Sequence, residues 1–173
     1  MEESEGLPAD ATYLIYIAKI DAFDLAGVCV GRLLVTPAVW RESVVDAERL
    51  GYTDAARIRA AEKTGIVRCV ALDAETGRRA ADLASSWRIG QGESETLALG
   101  RDVGRAIVDD GRAARVAEAI GVEPVSTLFL PVLGAMVGMS RVDAIGFLRR
   151  LAIVANARAE TALEIEEFIG RLT

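Results

Sequence analysis

Apolar residues along this chain recur in two alternating rhythms. Short runs such as Leu33-Leu34-Val35 and Ala106-Ile107-Val108 have the length and β-branched content of buried strands, while the segments between them return apolar residues every three or four positions. That second spacing marks helices with one buried face. Reading along the chain predicts a helix over 11–20 with Asp10 at its N-cap, a short helix or turn over 21–30, and a strand at Leu33–Val35 stopped by Thr36-Pro37. Proline at a first helical position then opens a helix over 37–50. A helical excursion over 51–65, a strand over 66–72 and a helix over 74–87 follow. Gly90 and Gly92 break the chain before a helix carrying Glu93, and a strand over 106–108 leads to a helix beginning near Gly111. Its Ala113, Val116, Ala117 and Ile120 form a core-facing stripe. A short strand over 122–125 precedes three helices, 127–137, 142–151 and 160–172, with Gly138 and Asn156 as their stops.

Strands alternating with helices imply an α/β domain whose central sheet is mostly parallel, covered on both faces and followed by a helical C-terminal part. At 173 residues the chain is the size of one domain, 1–173, with residues 1–8 expected to be a flexible acidic tail. The acidic start is unlike a secretory signal, and no apolar run approaches the roughly 20 residues that span a bilayer. A cytoplasmic protein with no membrane contact is the expectation.

Composition narrows the chemistry more than the fold. The chain has no histidine, which excludes Ser-His-Asp and Cys-His catalysis and an ordinary zinc site of Cys and His. Cys29 and Cys69 sit in apolar surroundings and are expected in the core. A net charge of -6 counts against a nonspecific nucleic-acid binder, although all but Lys19 and Lys63 of the 20 basic residues are arginines, the side chain suited to forked phosphate contacts. Any catalysis must rest on carboxylates, a metal or a cofactor.

The acids are placed for such chemistry. Functional crevices of open parallel sheets lie beyond the carboxyl ends of the strands. Asp109 and Asp110 end a strand, Glu93 sits in the first turn of a helix, Asp10 opens another, and Glu42 lies in the helix after Leu33–Val35. Four segments thus send carboxylates toward one edge of the sheet. Adjacent aspartates repel unless a cation or strong donors neutralise them, and Asp110 is equally suited to cap the following helix. Hard oxygen ligands suit Mg²⁺ or Mn²⁺, and such a cluster suits phosphodiester hydrolysis. Arg112 and Arg115 are candidates to approach a nucleic-acid backbone, or else lie on a solvated helix face. Glu95 points away from Glu93 and is expected on the surface; Trp40 and Trp87 are expected to be half-buried packing residues.

Four motifs in order carry a family resemblance: Asp10-Ala11-Thr12-Tyr13-Leu14-Ile15-Tyr16, then Val35-Thr36-Pro37-Ala38-Val39-Trp40-Arg41-Glu42, then Gly92-Glu93-Ser94-Glu95-Thr96-Leu97-Ala98-Leu99, then Val108-Asp109-Asp110-Gly111-Arg112-Ala113-Ala114-Arg115. The chain resembles PIN-domain proteins, closest to a prokaryotic group related to VapBC-type toxins. The resemblance implies a three-layer α/β/α fold and a metal-dependent ribonuclease of single-stranded RNA, with Asp10, Glu42, Glu93 and one or both of Asp109 and Asp110 as catalytic residues around Mg²⁺ or Mn²⁺. Thr12, Arg112 and Arg115 would bind substrate. It also implies an antitoxin as a partner, and the apolar C-terminal helices suit a homodimer. One departure is the weakly apolar, proline-containing segment Glu5-Gly6-Leu7-Pro8-Ala9 where the family has a first strand. The alternatives are a noncatalytic PIN scaffold that binds a protein partner and, more remotely, a carboxylate-pair glycosidase.

Overall fold

The computed structural model describes residues 6–172. Strand β1, Leu7–Pro8, pairs in parallel with β2, Leu33–Val35, and β2 pairs in parallel with β3, Val67–Cys69. A second parallel pair joins β4, Arg105–Ile107, to β5, Glu123–Val125. The bridge Ala9↔Ile107 and the bond from the Asp10 N–H to the Ile107 carbonyl connect the two pairs, so the strands run β3-β2-β1-β4-β5. The weakly apolar N-terminal segment is therefore strand, not tail, from Leu7 onward. Pro8 is tolerated because its neighbours Leu7 and Ala9 donate to the Arg32 and Leu34 carbonyls, and the missing proline N–H falls between those bonds. Residues 1–5 of the expected acidic tail lie outside the described residues.

Neighbouring strand residues serve opposite cores. Ile107 packs with Leu33, Val35, Tyr13, Leu14 and Ile17 on one face, while Ala106 and Val108 pack with Leu97, Val116 and Val122 on the other. That alternation requires helices on both sides. On the first face lie α1, Ala11–Lys19, α2, Phe23–Val30, and the helical run from α3, Pro37–Trp40, through a π-helical turn, Arg41–Asp46, and α4, Ala47–Arg49, to α5, Asp54–Lys63. On the second lie α6, Ala74–Trp87, α7, Gln91–Val103, and α8, Gly111–Ala119. This is the expected α/β/α sandwich. A third apolar cluster joins α9, Leu130–Met136, α10, Arg141–Val154, and α11, Ala159–Arg171, beyond the sheet.

Most expected boundaries agree within a few residues, and the differences have local causes. The helix expected over 37–50 is wound as π between Arg41 and Asp46. The helix expected over 127–137 begins as a 3-10 turn, Thr127–Phe129. The strand expected over 66–72 pairs only at Val67–Cys69, and Cys69, expected in the core, is exposed at its end while Cys29 is buried. Gly138 and Asn156 both take the left-handed conformation that ends a helix.

Gly100 lets α7 lie close on β4. A Cβ there would stand 3.0 Å from the Ala106 Cβ, 3.1 Å from Val122 Cγ1 and 3.4 Å from the Arg105 carbonyl, whereas one on Gly77 of α6 meets nothing within 4 Å. Both glycines gain helix propensity on becoming alanine, but only at Gly100 does the new methyl crowd the Ala106 Cβ, fixed rigidly to its strand, and Val122 Cγ1. Gly100→Ala is expected to destabilise by about 1–3 kcal/mol and Gly77→Ala to stabilise by up to about 1 kcal/mol in urea unfolding.

Candidate active site at the switch point of the sheet

In the order β3-β2-β1-β4-β5 the chain reverses its direction of winding between β1 and β4, and an open parallel sheet has its crevice at such a reversal. Asp10 leaves the end of β1 there and Asp109 follows β4. Asp10 caps α1, its Oδ1 accepting from the Tyr13 N–H at 2.8 Å, and is only 5% exposed. Burial pushes its carboxyl up to about 7; the Tyr13 N–H opposes this, and the negative charges of Asp109 and Glu93 add to it. Among the described residues no cation is one of the groups acting on it.

The aspartate doublet divides its labour. Asp109 turns toward the chain following β5: its Oδ1 accepts from the Thr127 N–H at 2.9 Å and the Ser126 hydroxyl at 3.2 Å, and its Oδ2 accepts from the Thr127 hydroxyl. Asp110 instead caps α8, its Oδ1 accepting from the Ala113 N–H at 3.0 Å and the Arg112 N–H at 2.7 Å. Those two donors, reinforced by the Arg112 and Arg115 charges, hold its carboxyl below the ordinary value. The capping alternative thus describes Asp110, and the residue beside Asp10 is Asp109.

Across the crevice, half-buried Glu93 turns back on its own helix, its Oε2 accepting from the Gly90 N–H at 2.8 Å. Glu42 is exposed on the π-helical turn, and its Oε2 comes within 3.3 Å of where a Cβ on Gly92 would stand. A side chain at position 92 would therefore crowd Glu42. Thr12 is exposed in the first turn of α1; Arg112 and Arg115 are exposed on α8, and Nη1 of Arg112 donates to the Arg88 carbonyl at 3.1 Å. Among the described residues no three Cys, Asp or Glu side chains stand close enough together to hold a metal ion. The donors are nonetheless the all-oxygen set that a hard divalent cation prefers, and the burial and neighbouring negative charges that push the Asp10 carboxyl up are what a bound cation would offset. They fit such an ion.

Three features escaped sequence reasoning. Glu95, expected on the surface, is 8% exposed: its Oε2 accepts from the Ala38 N–H of α3 at 3.0 Å and its Oε1 from Gln91 Nε2 at 2.9 Å, while Gln91 Oε1 accepts from Arg41 at 2.9 Å. This relay ties α7 to the turn that carries Glu42. The hydroxyls on Asp109 come from Ser126 and Thr127, distant in sequence; their only signal was a hydroxyl pair after a strand. Tyr16 faces the acids as well, its phenol pushed up by partial burial and then by Asp109 and Asp10.

The family described as a PIN domain matches residues 9–159, a span that includes all five candidate acids. No curated protein and no solved structure matches the chain. PIN domains are nuclease-type folds that typically use divalent metals.

Raised from 3.8 to about 7, the Asp10 carboxyl favours folding while protonated. Its contribution is complete below its unfolded value and is lost as the pH rises through 7. In chelator, parent minus Asp10→Asn stability should therefore fall between about pH 4 and pH 8 by as much as about 4 kcal/mol, measured by urea unfolding at several pH values. A flat difference would contradict the buried, uncompensated carboxyl.

Proposed function

Because the chain belongs to the PIN-domain family, we propose that it is a metal-dependent endoribonuclease that hydrolyses phosphodiester bonds of single-stranded RNA. The observation that carries this reading is the buried Asp10 carboxyl beside Asp109 at the switch point, with no cation to offset it. Asp10 and Asp109, with Glu93 and Glu42 from the opposite side, would hold Mg²⁺ or Mn²⁺. The ion supplies Lewis acidity for attack of water on the phosphate and for departure of the leaving oxygen.

The protein's own part is positioning. The Tyr13 N–H holds Asp10, and the Thr127 and Ser126 groups hold Asp109, so both carboxylates meet substrate with little freedom left to lose. The Glu95 relay holds the Glu42 turn against α7. Arg112 and Arg115 lie within electrostatic reach of Asp110 and face solvent, where RNA phosphates would approach. Asp110 serves α8 in this proposal rather than the ion.

The proposal extends to the toxin half of a toxin-antitoxin pair acting in the cytoplasm, with an antitoxin as protein partner and a second copy on the C-terminal helices. Among the described residues no helix is long and apolar enough to cross a membrane. Val142 and Ile153 of α10 and Leu163 of α11 are exposed apolar residues suited to such contacts. A noncatalytic scaffold is favoured by one observation, that among the described residues the acids are not gathered into a ligand set. Calorimetry with Mn²⁺ separates the two, since a scaffold would bind none.

Cleavage of an unstructured RNA is expected with Mn²⁺ or Mg²⁺, is abolished by chelator, and falls at least about 100-fold in Asp10→Asn and Asp109→Asn. Activity that survives both chelator and Asp10→Asn would end the reading. Asp110→Ala should instead keep most of its cleavage and lose about 1 kcal/mol of stability, the cost of a missing cap.

A further inference from the structure

The turn between α6 and α7 is unaccounted for by the acids. Thr76, Ala80 and Leu83 form the buried stripe of α6, and Trp87 continues it at the same helical spacing. Yet Trp87, the last residue of α6, is 46% exposed. The other tryptophan, Trp40, is half-buried and has Arg59 stacked over its ring at 5.7 Å. Trp87 has no such cation over it among the described residues.

Arg88 follows in the left-handed conformation, φ 52°, where glycine is usual at a helix end. Its carbonyl accepts from Arg112, and buried Ile89 anchors the turn from beneath. Gly90 comes next, its N–H on Glu93. The Trp87-Arg88 elbow thus ends two residues before the N–H that Glu93 accepts from and is fastened to α8, the helix that follows the aspartate doublet. Arg88 and Arg112 are exposed there, and neither makes an ion pair within 4.0 Å among the described residues. Two guanidinium groups thus stand at the elbow that carries the open indole, Arg112 joined to it through the Arg88 carbonyl.

We propose that Trp87 and Arg88 form a subsite for single-stranded RNA next to the acidic crevice, Trp87 stacking on an unpaired base and Arg88 contacting the adjoining phosphate. The subsite rests on the ribonuclease reading for its substrate but not for its geometry. An aromatic face with flanking arginines is the general means of holding a single strand without reading its sequence. The fastened elbow presents the indole without a loop having to order on binding.

The test is equilibrium binding of a labelled, unstructured RNA of about 12 nucleotides to the full chain in chelator, alongside cleavage rates in Mn²⁺. Trp87→Ala is expected to weaken binding by about 5- to 100-fold with an unchanged salt dependence, and Trp87→Phe to recover most of it. Trp87→Leu, which keeps the bulk but not the aromatic face, should bind as poorly as Trp87→Ala while melting at the parent temperature. Arg88→Asn, a residue that tolerates the left-handed turn, should flatten the slope of log affinity on log salt by about 0.7. If the parent binds and Trp87→Leu binds equally well, the subsite is overturned and the nuclease reading stands. If binding depends on Trp87 but no cleavage occurs with metal, the nuclease reading fails and the subsite stands. A parent chain that binds no RNA, or an exposed face that captures only a protein, overturns the subsite.

Discussion

A single parallel bridge holds the functional architecture together. Ala9 pairs with Ile107, and the Asp10 N–H donates to the Ile107 carbonyl at 3.2 Å, joining the three-stranded and two-stranded parts of the sheet. Without it β1 and β4 would not be neighbours, and the acids at their ends would belong to separate crevices. The bridge also turns Ile107 to one core while Ala106 and Val108 face the other, so the two apolar clusters clamp the junction from both sides. Packing thereby holds two carboxylates together against their mutual repulsion.

That enforced closeness sets the electrostatics. A buried carboxylate beside two others has no favourable charged state of its own, and Asp10 responds by keeping its proton near neutral pH. Asp109 is exposed and accepts from Ser126 and Thr127, while Asp110 faces the N-terminal amides of α8, which hold its carboxyl below the ordinary value. Each acid of the doublet is engaged by a different part of the fold. Arginines sit outside this centre, on the rim, where they can meet phosphate without cancelling the charge within.

Much of this was legible in residue order. Asp10 and Asp110 sit where helix caps belong, and Pro37 stands at the first position of a helix. The boundaries of α6 and the parallel α/β class followed from spacing alone. Other features were not. The π-helical winding that carries Glu42 has no clear local signature. Glu95 lies one turn face from Glu93, so helical geometry predicts solvent; burial against the α3 N-terminus instead comes from an element nearly sixty residues away in the chain. Trp87 continues the buried stripe of α6 in its spacing and is exposed all the same.

Sequence by itself determined which residues could do chemistry: with no histidine, only carboxylates remained, and helix and strand periodicity placed five of them near strand ends or helix starts. Tertiary structure decided which of those share an environment. Periodicity reports only the face a residue occupies on its own element, whereas the pairing of β1 with β4, the donors on Asp109 and the burial of Glu95 depend on contacts between distant segments. The choice between Asp109 and Asp110 shows the difference. Adjacent residues of one type are equivalent in sequence, and a strand end followed by a helix start turns one toward β5 and the other onto α8.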